Sequence, residues 1–202
     1  MQKLVVGLLV FISSVAGAQD YKPFTVNVAA GYAMPADKPD NNDISKAGFV
    51  YSIEPQYRLP NKLIVGLRLE QAFIQRPEFL DRNINFQTKT KSIISAALTV
   101  NYELATGSKI RPYAGLGVGF YYADKSEQFY ATSGVPISYP LQTTTVIGGL
   151  GRIGVKYGMA NLEIDYNLIS DTRLTNNATR FTLVAKNSYA SAKIGFTIGS
   201  RK

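Results

Sequence analysis

The sequence predicts an all-β protein, an eight-stranded antiparallel up-and-down barrel that crosses a membrane, and three observations predict it. Eight segments alternate apolar and polar residues with the period of two that strand geometry imposes. The connections between them run long, short, long, short, long, short, long, the rhythm of an even-stranded barrel with turns at one end and loops at the other. The segment 111–122, RPYAGLGVGFYY, has two unlike faces: Ala114, Leu116, Val118, Phe120 and Tyr122 on one, Tyr113, Gly115, Gly117, Gly119 and Tyr121 on the other. Glycines facing water would weaken a soluble strand without return. Facing the interior of a narrow barrel, they leave room for long side chains from other strands, and the apolar face then points into lipid.

An export signal precedes the barrel. Lys3 supplies a positive start, residues 4–15 an apolar run, and Ala16-Gly17-Ala18 a small-x-small site, so cleavage after Ala18 is expected, leaving 19–202 as the barrel domain. The apolar run is shorter than the roughly 20 residues a spanning helix needs, and no such run follows it.

Composition narrows the function. The chain has 202 residues with 22 Lys+Arg against 14 Asp+Glu, and loss of Lys3 lowers the formal charge from +8 by one. Export argues against a nucleic-acid partner for this basic balance; solubility charge or attraction to anionic lipid head groups fits it. Without cysteine there is no disulfide, no thiol chemistry and no lipid attachment at the cleavage point. Histidine is absent too, which removes the base used by barrel-built acyltransferases, phospholipases and proteases. No catalytic residue, metal or cofactor is therefore expected, and the acidic run at 40–43 reads as a solvated loop rather than a calcium site.

In chain order, the first strand is 24–33, with Val26, Val28, Ala30 and Tyr32 outward. After a polar loop, 47–59 sets Phe49, Tyr51, Ile53 and Tyr57 against Ser52, Glu54, Gln56 and Arg58, and Pro60-Asn61 turns the chain. The third strand, 62–73, puts Leu63, Val65, Leu67 and Leu69 outward and Gly66, Arg68 and Glu70 inward. A long loop, 74–91, leads to 92–104, where Ile94, Ala96, Leu98, Val100 and Tyr102 alternate with Ser95, Ala97, Thr99, Asn101 and Glu103. A short turn precedes the glycine strand, and the longest loop, 124–142, follows it.

The sixth strand, 143–157, turns Gly148, Arg152, Gly154 and Lys156 inward; 158–160 is a turn, and the seventh, 161–169, turns Glu163, Asp165 and Asn167 inward. After a loop at 170–180 the last strand is expected over 181–198, its phase clear only where Ala192, Ile194 and Phe196 oppose Ser191, Lys193 and Gly195, with a bulge near Asn187. Tyr57, Tyr102, Tyr157 and Phe196 would form one interfacial girdle, and Tyr32, Phe49, Phe73 and Tyr122 the other.

Inward charges recur in each hairpin. A turn centred on Asn61 sets Glu54 opposite Arg68, one centred on Gly107 sets Glu103 opposite Arg111, and Arg152 and Lys156 face Glu163 and Asp165 within one register step. With Arg58 and Glu70 they form an expected polar network filling the lumen, because an eight-stranded barrel is about wide enough for side chains alone. The same glycine-lined faces would also permit a narrow channel.

The run Pro112-Tyr113-Ala114-Gly115-Leu116-Gly117-Val118-Gly119 resembles the P-Y-x-G-x-G-x-G strand of small outer-membrane β-barrels of the OmpA, OmpX and OmpW type, the outer membrane protein β-barrel domain family. The resemblance implies a Gram-negative outer membrane, contact with its lipid and lipopolysaccharide, insertion by the barrel-insertion machinery, and a monomer. The terminal aromatic often read by that machinery is missing, since Phe196 and Ile198 are followed by Gly199-Ser200-Arg201-Lys202. The expected function is non-enzymatic, an envelope-structural or surface-binding role through the outer loops. Phe129, Tyr130 and Tyr139 of the longest loop are the candidate binding residues, and a small porin-like channel is the alternative. A soluble lipocalin-like barrel with the apolar face inward is disfavoured by the loop rhythm, the paired inward charges and the absence of tryptophan.

Overall fold

The computed structural model describes residues 23–36, 48–74, 80–81, 84–88, 91–104, 109–124, 126–132, 135–141, 143–176, 181–185 and 187–199. The expected leader, 1–18, lies outside them. In chain order the strands are β1 (Phe24–Pro35), β2 (Gly48–Arg58), β3 (Leu63–Ile74), β4 (Leu80–Asp81), β5 (Ile84–Thr88), β6 (Lys91–Glu103) and β7 (Ile110–Ala123). They continue as β8 (Ser126–Thr132), β9 (Val135–Leu141), β10 (Thr144–Tyr157), β11 (Ala160–Ile169), β12 (Thr172–Asn176), β13 (Phe181–Ala185) and β14 (Tyr189–Ile198).

Eight of them close into one antiparallel barrel in the order β1-β14-β11-β10-β7-β6-β3-β2, with β1 also paired to β2. Closure leaves no edge, so each wall strand pairs with a neighbour on both sides without water, as a lipid-embedded wall requires. Alternation decides which face is which. Leu98, Leu116, Ile147, Ile153, Leu168 and Ile194 stand exposed on the outer face, while Asn27, Glu54, Arg68, Thr99, Arg152, Asp165 and Lys193 are buried inside. The expected girdles are present: Tyr57, Tyr102, Tyr157 and Phe196 are exposed toward the short-turn end, Tyr32, Phe49 and Tyr122 toward the other. Tyr51 adds to the latter, its ring centroid 6.1 Å from Phe49 and 6.4 Å from Phe73.

The short turns follow hairpin rules. Gly158, with φ 60°, opens the two-residue loop between Tyr157 and Ala160. Leu59 N–H bonds Leu63 carbonyl at 2.8 Å around a three-residue loop whose last residue, Lys62, takes φ 64°, the left-handed position that such loops need.

The long connections depart from expectation. Segments read as loops at 74–91 and 124–142 contain β4, β5, β8 and β9, which form a four-stranded sheet of that order above the barrel, here called the crown. Prolines at 136 and 140 make β9 read as irregular; it lies at the edge of that sheet, where a strand tolerates proline. The single last strand expected over 181–198 is two: β13 pairs with β12 in a separate hairpin, and only β14 enters the barrel. The expected bulge near Asn187 is a break instead. There Asn187 Nδ2 donates to Ser170 carbonyl at 2.7 Å, and Ser188 Oγ bonds both N–H and carbonyl of Ile169 at 3.0 Å, satisfying backbone groups the interrupted ladder leaves.

Leu98, 62% exposed in the middle of β6, tests the face assignment. Leu98→Arg should lower unfolding free energy by about 2–4 kcal/mol, the depth-dependent cost of a basic residue at the lipid face, measured by urea unfolding of refolded protein in lipid vesicles.

Candidate functional site

The lumen is where the chain concentrates its chemistry, and it is layered along the axis. At the crown end Ala33, Val50, Ala72, Ile74, Ile93, Tyr121, Ala123, Ile169 and Tyr189 pack into one buried apolar cluster. Tyr121 and Tyr189 hang from it with their hydroxyls pointing down: Tyr121 donates to Asn167 Oδ1 at 3.0 Å and Tyr189 to Glu70 Oε1 at 2.6 Å.

Beneath lies a continuous ion network. Arg152 donates two parallel hydrogen bonds to Glu54, both 2.7 Å, and Thr99 Oγ1 donates to the same carboxylate at 2.6 Å. Such bidentate pairs are among the strongest protein hydrogen bonds and fix both planes. Arg152 also lies 3.6 Å from Glu163, which accepts from the Tyr113 hydroxyl at 2.8 Å and sits 3.2 Å from Lys193. Lys193 binds Glu70 and reaches Asp165 at 2.7 Å. Arg68, with no exposed surface, lies 3.4 Å from Glu70 and 3.6 Å from Asp165 and donates to Asn167 at 2.5 Å.

The glycines of β7 and β10 make this possible. A Cβ on Gly154 would run into the ring of Tyr113, and one on Gly148 would sit 2.8 Å from the ring of Tyr121. Each tyrosine thus lies flat across a glycine, which carries its hydroxyl into the axis. At the short-turn end Arg58 and Arg111 both approach Glu103, the latter at 3.5 Å, while Lys156 lies 5.2 Å from the centroid of the Tyr113 ring.

All ten residues expected in the polar network face the lumen, but their pairings differ. The register continues through Ile53↔Leu69 and Gln56↔Gly66, so Glu54 and Arg68 sit opposite as expected, yet no bond joins them. Glu54 reaches across the barrel to Arg152, while Arg68 turns to Glu70, two residues along its own strand, and across the lumen to Asp165, because long side chains in a narrow lumen also reach partners on strands other than the neighbouring one. Glu103 stands opposite Tyr113, two residues from its expected partner Arg111, and still pairs with Arg111 diagonally. Arg152 does face Asp165, but Lys156 faces Asn161 and Arg111 and meets no carboxylate.

Sequence reasoning misses Lys193, the centre of the network. Alternation places it inward, and the β11–β14 register sets it directly opposite Glu163, but the β12–β13 hairpin between these two strands hides that register in the sequence, and Glu70 of β3 is met across the barrel. Of the candidate binding residues, Phe129 and Tyr130 fall in β8 and Tyr139 in β9, the backbone of Tyr130 in register with Phe86 and Ile137; their side chains lie outside the described residues.

A closed eight-stranded wall, apolar outside and charged inside, defines a transmembrane β-barrel. The outer membrane protein beta-barrel domain family matches residues 4–186, and the chain belongs to that family and to the outer membrane. Solved structures share the fold. Neisserial surface protein A is 18% identical, with a TM-score of 0.52 over 88% of this chain and 97% of its own. A major outer membrane protein of Thermus thermophilus is 11% identical, with a TM-score of 0.51 over 87% and 98%. OprG of Pseudomonas aeruginosa is 15% identical, with a TM-score of 0.51 over 89% and 98%. No curated protein sequence matches the chain.

The observed pairing has a direct check. Arg152→Met should cost about 3–5 kcal/mol by leaving Glu54 charged and unpartnered, and Glu54→Gln in the same chain should return most of it. The loss caused by Arg68→Met should be relieved by Asp165→Asn and not by Glu54→Gln. Urea midpoints of the single variants and of the double variants that combine them measure both.

Proposed function

We propose that this chain is a non-enzymatic outer-membrane protein that works through its crown, with the lumen serving as a packed internal brace rather than a conduit. The observation that carries this reading is the closure of the lumen at two levels. The Glu54–Arg152–Glu163–Lys193 chain crosses it at mid-height, and the apolar cluster around Tyr121 and Tyr189 fills it above. The space that the glycines open is taken by Tyr113, Tyr121 and Leu150, which weakens the porin-like alternative. The buried acids at mid-lumen already have basic or phenolic partners, which leaves no free carboxylate base for catalysis there among the described residues.

The crown supports a surface-binding role. Loops that merely joined strands would need few residues, whereas two of these connections build a four-stranded sheet beyond the wall. A sheet presents a fixed surface to a partner at lower ordering cost than a loose loop.

Refolded protein in a planar bilayer should give no steady single-channel steps, heat-modifiable gel mobility having shown that it is folded. Steps of constant size would return the lumen to the centre of the function. Replacing residues 126–141 by a tight turn should leave the barrel folded and abolish adhesion of cells displaying the protein to any surface that the complete protein binds.

A further inference from the structure

The network at mid-lumen is nearly balanced, with Glu54, Glu70, Glu163 and Asp165 against Arg68, Arg152 and Lys193. The short-turn mouth is not. There, among the described residues, Arg58 and Arg111 share the carboxylate of Glu103 and Lys156 pairs with none, an excess of two positive charges at that level. The β7–β10 register places Lys156 directly opposite Arg111, and like charges directly opposite on one sheet face are destabilising. Lys156 is only 4% exposed, yet among the described residues it makes no hydrogen bond and no ion pair; its ammonium rests on the Tyr113 ring. An ammonium with so little exposure and no carboxylate beside it is poorly compensated.

The two arginines are presented differently. Their side chains are 29% and 26% exposed, so their remaining N–H groups face the opening. Arg111 is held in place by donating to Gly158 carbonyl at 3.1 Å, and Glu103 anchors both guanidinium groups from behind. Two guanidinium forks at an opening, with an ammonium behind them that lacks an acceptor, match the donor geometry and charge of a phosphate group.

We infer that the short-turn mouth of the lumen, formed by Arg58, Arg111 and Lys156 around Glu103, is a binding site for a phosphate group. Lys156 supplies the inner charge, the arginines close over the outer oxygens, and the bound dianion neutralises the excess. The phosphate comes either from a soluble anion or from an anionic lipid head group at the rim of the wall.

The test uses the full mature barrel refolded in alkyl maltoside micelles, which contain no phosphate. In one arm inorganic phosphate is titrated calorimetrically against a chloride control of equal ionic strength; in the other, short-chain phosphatidylglycerol is titrated into the micelles. Saturable binding in the first arm identifies a soluble anion, and binding only in the second identifies a head group. In either arm Lys156→Met and Arg111→Gln should weaken binding about tenfold or more, the loss of one charge-assisted hydrogen bond each. A Lys62→Gln, Lys109→Gln chain, altered at the same end but outside the mouth, should bind as the parent does.

Stability gives a second readout. Without phosphate, Lys156→Met should unfold at higher urea than the parent, because an unpartnered charge is gone. Saturating ligand should narrow or reverse that difference. Absence of saturable binding in both arms overturns the inference, as does equal affinity of the parent and both mouth variants.

Discussion

The structure depends on one constraint, that charged groups placed inside a wall surrounded by lipid must satisfy one another. Arg68 and Lys193 are both almost wholly inaccessible, and each touches more than one carboxylate. The backbone ladder alone would accept several registers. A one-residue slip of any strand, however, turns its inward set outward, and Glu54, Arg68 or Lys193 would then face hydrocarbon. The ion network therefore selects the register that the ladder only permits. It also ties together strands distant in sequence, since Glu54 and Arg152 belong to β2 and β10 while Lys193 of β14 holds Glu70 of β3.

That constraint explains how much is legible in the sequence. Period-two alternation locates every wall strand but the last to within a residue or two and gives the correct face to every charged residue it names, because burial against lipid writes itself into each strand separately. Partner choice is not local. The Arg152–Glu54 and Lys193–Glu70 contacts span 98 and 123 residues, and no hairpin rule reaches that far. The crown is hidden for a different reason: Pro136 and Pro140 look like loop residues unless the strand is known to be an edge. At the last strand the sequence over 181–198 has no punctuation strong enough to announce that β13 leaves the wall for β12, and the break shows only in the side-chain bonds of Asn187 and Ser188.

The lumen is asymmetric along its axis, and the asymmetry has a physical logic. At the crown end a layer of Ile, Ala and Tyr excludes water, so the ion network below it works in a medium where its attractions are strong. At the other end the side chains of Arg58 and Arg111 are partly solvated and their pairing with Glu103 is correspondingly weaker. The strong interactions thus lie where rigidity is needed to hold the wall, and the adaptable ones lie where the lumen opens.

The fold is shared with barrels that are 11–18% identical to this chain. Such divergence is what a wall specified mainly by a binary pattern allows: any apolar residue serves outside, and any set of inward charges serves if it balances. Features that the wall does not require are then the ones that distinguish one barrel from another. Mutual pairing at mid-lumen is a requirement of folding and carries little further information. A four-stranded crown is not required to close eight strands, nor is an excess of basic residues at the opposite mouth, where Lys156 stands directly opposite Arg111 and works against the stability of the sheet that bears them. A cost of that kind persists only where something other than the fold is served by it.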